Sequence, residues 1–335
     1  MNEESKTNRR PLRVAHIGAG EWSRYMHGPA LQRLAQHSLV SLEVICDLQL
    51  SRAEEFRNQF GYRLASDNID DALQRAQPEV IVCTVQPSAT AALVKSLLPL
   101  GVPLFIEKPP GISLDEANSL AAASEAAKVL TFVAFNRRSI PSLVRLKRWS
   151  LENPVRSARA EMLRTNRMEP EFAIVTGIHM LDTMRFLLGN PTEIEVRRRM
   201  YGSSVVCDSW VRLLFPNAVG AEISLLLNTG IKRETYRLTA DGASAEAALG
   251  AAYNADTSFQ GDRYWCGEKI VEQHPLADDR LVDDGIVDEY EEFIRLAITN
   301  APSTCSLTDA AFSMLLAKAV HDGYSGSIAP LLIGS

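Results

Sequence analysis

The sequence predicts an α/β protein, a doubly wound parallel sheet followed by an α+β domain with a mainly antiparallel sheet. Three observations predict it. Up to Ala134, short apolar runs alternate with helical patterns, as in a parallel sheet covered on both faces. Past Phe135 the rhythm changes to longer segments of alternating polarity, the pattern of half-buried antiparallel strands. At 335 residues the chain also exceeds one ordinary domain. The expected domains are residues 1–134 and 135–335.

Residues 12–17 form a β-branched apolar run that ends at Gly18-Ala19-Gly20 and gives way to a helical pattern through Leu34. The next run, 42–46, ends on Asp47, and a helix follows at 51–60. Further strands are expected at 79–85, 102–106 and 130–135, with helices at 90–100 and 114–128. In the second domain a helix is expected at 141–151, and strands at 193–200, 209–215, 219–227 and 234–239. A helix over 174–188, stopped by Gly189-Asn190-Pro191, interrupts them. Helices at 287–299 and 308–321 close the chain, the second with Ser306 as its N-cap.

Composition narrows the function. Apolar residues make up 46% and charged residues 23%, the balance of a globular protein. A formal charge of −6 with dispersed Lys and Arg gives no broad footprint for nucleic acid and favours a small-molecule partner. The five cysteines are widely spaced and never form a Cys-x-x-Cys pair, so neither a disulfide framework nor a metal site is expected. The polar start, residues 1–10, lacks the apolar core of a secretory signal, and no later stretch has transmembrane length without a charge. A cytoplasmic location is expected.

A Gly-x-Gly turn after a strand brings backbone N–H groups against a pyrophosphate at a helix N-terminus, which marks the first domain as Rossmann-type. Asp47, at the end of the second strand, suits the hydroxyls of an adenosine ribose and would repel a 2′-phosphate, so NAD is preferred. It could instead cap the following helix. Arg52 nearby keeps NADP open.

Three further segments, Glu107-Lys108-Pro109, Phe135-Asn136-Arg137-Arg138 and Gly177-Ile178-His179-Met180-Leu181-Asp182, follow the glycine turn in that order. With it they resemble the Gfo/Idh/MocA family of nicotinamide-dependent oxidoreductases. The resemblance implies a Rossmann domain followed by an open-faced antiparallel sheet, acting on a sugar, cyclitol or related polyol or its ketone. It also implies that Lys108 reaches the reacting oxygen and His179 carries the proton. The chemistry agrees, because a histidine titrating near neutrality suits the hydroxyl proton and a lysine stabilises charge developing on oxygen. The candidate cofactor contacts are Gly18, Gly20, Glu21, Trp22, Asp47, Arg52, Glu107, Lys108 and Pro109. The candidate substrate contacts are Lys108, Arg137, His179 and Asp182.

Two departures qualify the resemblance. Many family members carry an aspartate four residues before the histidine; here that position is Val175, which cannot share a proton. Glu169, Glu171, Tyr236 and Thr176 are the candidate substitutes. The segment from Thr84 to Thr90 lacks the family's common Thr-Pro-Asn start and later histidine, so a modified sugar, a ketone or an imine joins the candidate substrates. Two other readings compete: a non-catalytic dinucleotide-binding regulator or scaffold, and a hydratase or isomerase that uses bound NAD transiently. A homodimer or homotetramer is expected through apolar residues on one side of the strands in 193–239.

Overall fold

The computed structural model describes residues 10–202, 205–250, 252–255 and 259–333. The chain divides into two compact units. The first contains residues up to Gly111, Ser119–Ala134 and Ile286–Asp309; the second contains Ile112–Asn118, Phe135–Gly285 and the residues from Ala310 onward.

The first unit is built on six parallel strands: β1 (Leu12–Ile17), β2 (Val40–Cys46), β3 (Leu64–Ser66), β4 (Val80–Cys83), β5 (Leu104–Ile106) and β6 (Thr131–Val133). Their spatial order, β3-β2-β1-β4-β5-β6, is the doubly wound Rossmann order. Val14, Ile45, Val80, Ile81, Leu104 and Phe105 are fully buried, the near-continuous apolar composition that two covered faces demand. Helices α1 (Gly28–Gln36), α2 (Leu50–Phe60), α3 (Ile69–Ala76), α4 (Pro87–Leu97) and α5 (Leu114–Ala127) connect the strands.

The change of pattern after Ala134 coincides with the passage from one unit to the other, but the sequence reading kept 286–309 with the second domain. The helix α9 (Ile286–Thr299) instead packs in the first unit. Tyr290 stacks on Phe105 with ring centroids 4.3 Å apart, and Phe293 meets Phe105 edge-on at 5.6 Å. A buried aromatic side chain withdraws roughly 150–250 Å² from water, so this contact outweighs distance along the chain. Backbone bonds extend it: Val133 N–H donates to the Cys305 carbonyl at 2.7 Å, and Leu307 N–H to Thr131 Oγ1 at 3.1 Å.

The second unit holds a nine-stranded sheet. Its strands are β7 (Ser157–Leu163), β8 (Glu193–Met200), β9 (Cys207–Leu214), β10 (Gly220–Leu226), β11 (Arg233–Ala240), β12 (Ala243–Ala248), β13 (Gly261–Cys266), β14 (Lys269–Pro275) and β15 (Gly326–Ser327). They lie in the order β14-β13-β12-β11-β7-β10-β9-β8-β15 and pair antiparallel, except β7 with β10. Helices α6 (Pro141–Glu152) and α7 (Ile178–Leu188) pack together, and α6 lies on β12 and β13. The helix α10 (Leu307–Asp322) is capped by Ser306, whose Oγ accepts from Asp309 N–H at 3.2 Å.

The alternation buries Ala160, Met162, Val211, Leu213, Ile223, Leu225 and Leu238 on one side of the sheet. The opposite side exposes Arg159, Trp210, Arg212, Glu222 and Arg237. The apolar side that the sequence reading offered for self-association is therefore core, and the uncovered face is charged. No described helix is long and apolar enough to cross a membrane.

Candidate active site

The glycine turn is shaped by its backbone. Gly18 has φ +109°, and a Cβ there would come within 2.5 Å of the Thr84 carbonyl oxygen, so only glycine fits. A Cβ at Gly20 would meet nothing within 4 Å, which leaves open space in front of the turn. Arg24 N–H closes the first helical bond on the Gly20 carbonyl at 2.9 Å, so the N–H groups of Glu21, Trp22 and Ser23 belong to an unsatisfied helix start, the arrangement that receives a pyrophosphate.

Beneath the turn lies a neutral network. His16, fully buried, contacts Tyr62 Oη through Nδ1 at 2.9 Å and Thr84 Oγ1 through Nε2 at 2.8 Å. Thr84 Oγ1 donates to the Gly18 carbonyl at 2.9 Å, so the imidazole donates from Nε2 and accepts from Tyr62. Burial first, and His27 second, hold His16 well below the ordinary histidine range, hence uncharged.

Asp47 sits at the end of β2, where its carboxylate takes two backbone N–H groups. Oδ1 accepts Gln49 N–H at 2.9 Å, at the entry to α2, while Oδ2 accepts Ala19 N–H at 2.9 Å. A carboxylate has about four acceptor positions, so two remain for ribose hydroxyls. Its bond to Ala19 also ties the end of β2 to the glycine turn. Arg52 is exposed in the first turn of α2. The residues present fit a dinucleotide.

Glu107 links this turn to the lysine segment. Its Oε1 accepts Trp22 Nε1–H at 3.0 Å and His27 Nε2 at 2.9 Å, while His27 Nδ1 meets Tyr290 Oη at 2.8 Å. Burial would push Glu107 up, but the bond and charge of His27, the charge of Lys108 and the Trp22 N–H outweigh it and hold the carboxyl below its usual range. Lys108 and Pro109 follow directly, Lys108 half-buried.

His27, Tyr290 and Glu289 are members of this cluster that the sequence reading missed. Glu289 is 1% exposed, and neither carboxyl oxygen has a hydrogen-bond partner among the described residues. Burial, then the charge of Glu107, push it well above the ordinary carboxyl range. The available signal was its place on the buried stripe of α9 with Ile286, Tyr290 and Phe293.

In the second unit His179 is 8% exposed on α7, directly after a π-helical turn, Ala173–Gly177. A second π-helical turn, Ser23–His27, leads into α1. Such turns recur at functional sites. The ring of Phe135 stands edge-on to His179 at 6.3 Å.

Two of the expected substrate ligands are held by protein partners. Arg137 is 3% exposed and donates to Glu234 from Nε at 2.5 Å and Nη2 at 3.1 Å, and to Asn136 Oδ1 from Nη1 at 3.2 Å. Asp182 is fully buried and receives Arg138 through two bonds, at 2.8 and 2.7 Å, and Ser313 Oγ at 2.7 Å. Burying either group demanded such partners. Tyr236 is likewise unsuited to replace the missing aspartate, being fully buried with its hydroxyl donated to Glu234 at 2.8 Å. Arg167 pairs with Glu169 and donates to Thr176 Oγ1 at 2.8 Å; Glu171 is exposed.

Residues 12–135 match the Gfo/Idh/MocA oxidoreductase family, an NAD-binding Rossmann fold. The rhizopine catabolism protein MocA of Rhizobium meliloti is 23% identical over 342 residues, covering 93% of this chain and 94% of its own. The D-glucoside 3-dehydrogenase of Escherichia coli (strain K12) is 25% identical over 198 residues, 54% of this chain and 55% of its own. A Gfo/Idh/MocA family oxidoreductase from Vibrio cholerae shares the fold with a TM-score of 0.79 at 19% identity, covering 97% of this chain and 100% of its own. GenD2 from gentamicin A biosynthesis, crystallised with NAD, shares it with a TM-score of 0.75 at 18% identity, covering 95% and 97%. The matched segment, an NAD-binding Rossmann domain of the oxidoreductase family, contains the glycine turn, Asp47 and Glu107-Lys108-Pro109, and the chain as a whole shares the fold of Gfo/Idh/MocA family oxidoreductases.

Proposed function

We propose that the protein moves a hydride between NAD(H) and a sugar, polyol or keto-sugar, with Lys108 polarising the reacting oxygen and His179 carrying the proton. The observation that carries this reading is the Trp22–Glu107 bond of 3.0 Å, which tethers the segment bearing Lys108 to the dinucleotide turn. Bound NAD accepts the hydride in oxidation and returns it in reduction. In the oxidative direction the substrate hydroxyl gives its proton to the His179 imidazole while the Lys108 ammonium stabilises the alkoxide character growing on oxygen. Glu107, held ionised, keeps a compensating negative charge beside Lys108. Val175 contributes no proton, and Thr176 beside it is joined to Glu169 through Arg167.

Gly18, Gly20, Glu21 and Trp22 would hold the phosphates, Asp47 the ribose with Arg52 beside it, and Glu107, Lys108 and Pro109 the nicotinamide end. The five free cysteines suit a reducing, cytoplasmic setting. A homodimer or homotetramer through the uncovered, mixed-charge sheet face completes the reading, and a monomeric mass by light scattering would remove that part of it.

Lys108→Ala is the direct test. Turnover of a sugar and polyol panel should fall by about 10²–10³-fold, the usual cost of losing one charge-stabilising donor, with NADH binding by fluorescence retained. Turnover unchanged in the variant would favour a regulator that binds dinucleotide without chemistry. NADH that forms on the enzyme during turnover without net release would favour the hydratase or isomerase reading.

A further inference from the structure

Two donors from the turn that leads into α1 meet one oxygen of Glu107: Trp22 Nε1–H at 3.0 Å and His27 Nε2–H at 2.9 Å. They stand five positions apart, a spacing that an α-helix would turn about 140° around its axis. The chain between them is instead the π-helical turn Ser23–His27, closed by Gly28 N–H on the Ser23 carbonyl. Such a turn bonds residue i to i+5 and stacks residues of that spacing on one side. The indole at its head and the imidazole at its end therefore converge on the same carboxylate.

His27 is fully buried, and its ring stands edge-on to Phe105 at 6.0 Å, on the strand that ends just before Glu107. Its other nitrogen, Nδ1, meets Tyr290 Oη at 2.8 Å, so α9 fixes the orientation of the ring. Because the ionised Glu107 can only accept, Nε2 carries the proton of the bond between them. Glu107 N–H donates to the Cys83 carbonyl at 2.9 Å, which anchors the same residue from the end of β4. Lys108 comes next in the chain. With the backbone and the carboxylate of Glu107 both held, the point from which the Lys108 side chain departs is held as well.

We propose that His27 is a positioning residue for hydride transfer: held by Tyr290, it holds Glu107, and through Glu107 the backbone that presents Lys108. The inference rests on the oxidoreductase reading above and adds to it a residue that touches none of the reacting groups. A misplacement of about 1 Å at a reacting group costs about 10²-fold in rate, so loss of the His27 bond is expected in kcat and not in binding.

The test uses NAD and a substrate from the sugar and polyol panel with the wild type, His27→Leu, His27→Gln, Tyr290→Phe, Lys108→Ala and the double variant His27→Leu/Lys108→Ala. His27→Leu should lower kcat by about 10–10²-fold, with KM and NADH affinity within about threefold. His27→Gln, whose amide N–H can stand where Nε2–H stands, should recover most of the loss, and Tyr290→Phe should fall between. The double variant should be no slower than Lys108→Ala, since residues that act through one group do not multiply their effects. Full kcat in His27→Leu, no recovery in His27→Gln, or a further loss in the double variant overturns the proposal. Should His27→Leu fail to fold, Tyr290→Phe takes its place in the same cycle. A second readout needs no turnover: acetic anhydride labelling of the NAD-loaded protein, with the exposed Lys128 as internal reference. Losing the His27 bond should change the relative rate at Lys108 by about threefold or more, because the Glu107 charge acts on that amine, and His27→Gln should restore it. A rate that changes in a protein that turns nothing over supports the positioning of Lys108 against the hydride-transfer reading. An unchanged rate overturns the positioning and leaves that reading standing.

Discussion

The two units bury polar groups by opposite means. In the first unit the buried titratable side chains are mostly neutral, as with His16, Tyr62, Tyr290 and Glu289, and Glu107 is the charged exception. In the second, beside neutral tyrosines such as Tyr236, stand charged pairs: Arg137 and Arg164 with Glu234, Arg138 with Asp182, Arg145 with Asp262. A neutral network fixes positions by hydrogen bonds without adding net field, which suits a turn that must present bare N–H groups to a diphosphate. A buried ion pair holds only as a complete set, because each partner alone is an uncompensated charge. The first unit should therefore respond to its proton count and the second to the removal of a partner.

The strongest way to break this comparison is Glu234→Ala. It leaves Arg137 and Arg164, both nearly inaccessible to solvent, without their carboxylate. The expected loss is about 3–5 kcal/mol, read from the denaturant midpoint. Glu234 has its pKa held at about 2: burial alone would raise it, and the charges of the two arginines more than reverse that. Its contribution is present above the ordinary carboxylate range and is lost as pH falls toward about 2. A loss below about 1 kcal/mol would mean that the second unit is held by apolar packing and that its charges are incidental.

Gly18→Ala is expected to cost less and to act on the first unit alone. The new methyl meets the Thr84 carbonyl at 2.5 Å with φ at +109°, so the turn must shift and the Thr84–Gly18 bond beneath it must break. Strain of about 1–3 kcal/mol follows, with NADH affinity reduced about tenfold or more. Gly61→Ala is the control, since Gly61 also has positive φ, +82°, but a Cβ there meets nothing within 4 Å. It shares the backbone strain and lacks the clash. Equal NADH affinities in the two variants would show that the network under Gly18 does not set the cofactor turn.

What the sequence made legible follows the same division. β1 and β11 were readable because apolar runs end at a glycine turn or alternate cleanly, and Gly18, Asp47 and Lys108 were readable because they stand at the ends of such runs. β12, with the sequence Ala-Ser-Ala-Glu-Ala-Ala, has helix-favouring residues, and β14 is exposed along most of its length, so neither carries a strand pattern. The partners of Arg137 and Asp182 were not legible for another reason. Charge is visible in a sequence, but the partners that absorb it, Glu234 and Arg138, lie 97 and 44 residues away. Glu289 was hidden inside an apolar helix stripe, where only the structure reveals that no cation accompanies it.

Glu289→Gln is the mildest perturbation and the sharpest for the first unit, because it keeps shape and neutrality and removes only the proton equilibrium. In the folded protein Glu289 keeps its proton well above the ordinary carboxyl range, whereas the unfolded chain releases it near pH 4.3, a typical glutamate value. The native state then binds more protons than the unfolded state, so this residue lowers stability progressively as pH rises above that value. Glutamine has no such term. At pH 4 the two proteins should unfold at the same denaturant concentration, and toward pH 8 the variant should become the more stable, the gap widening with pH. Glu107, whose lowered pKa acts in the opposite sense, is present in both proteins and largely cancels from the difference. Parallel stability curves across this range would mean that Glu289 is ionised in the folded protein, and the first unit would then bury its charges as the second does.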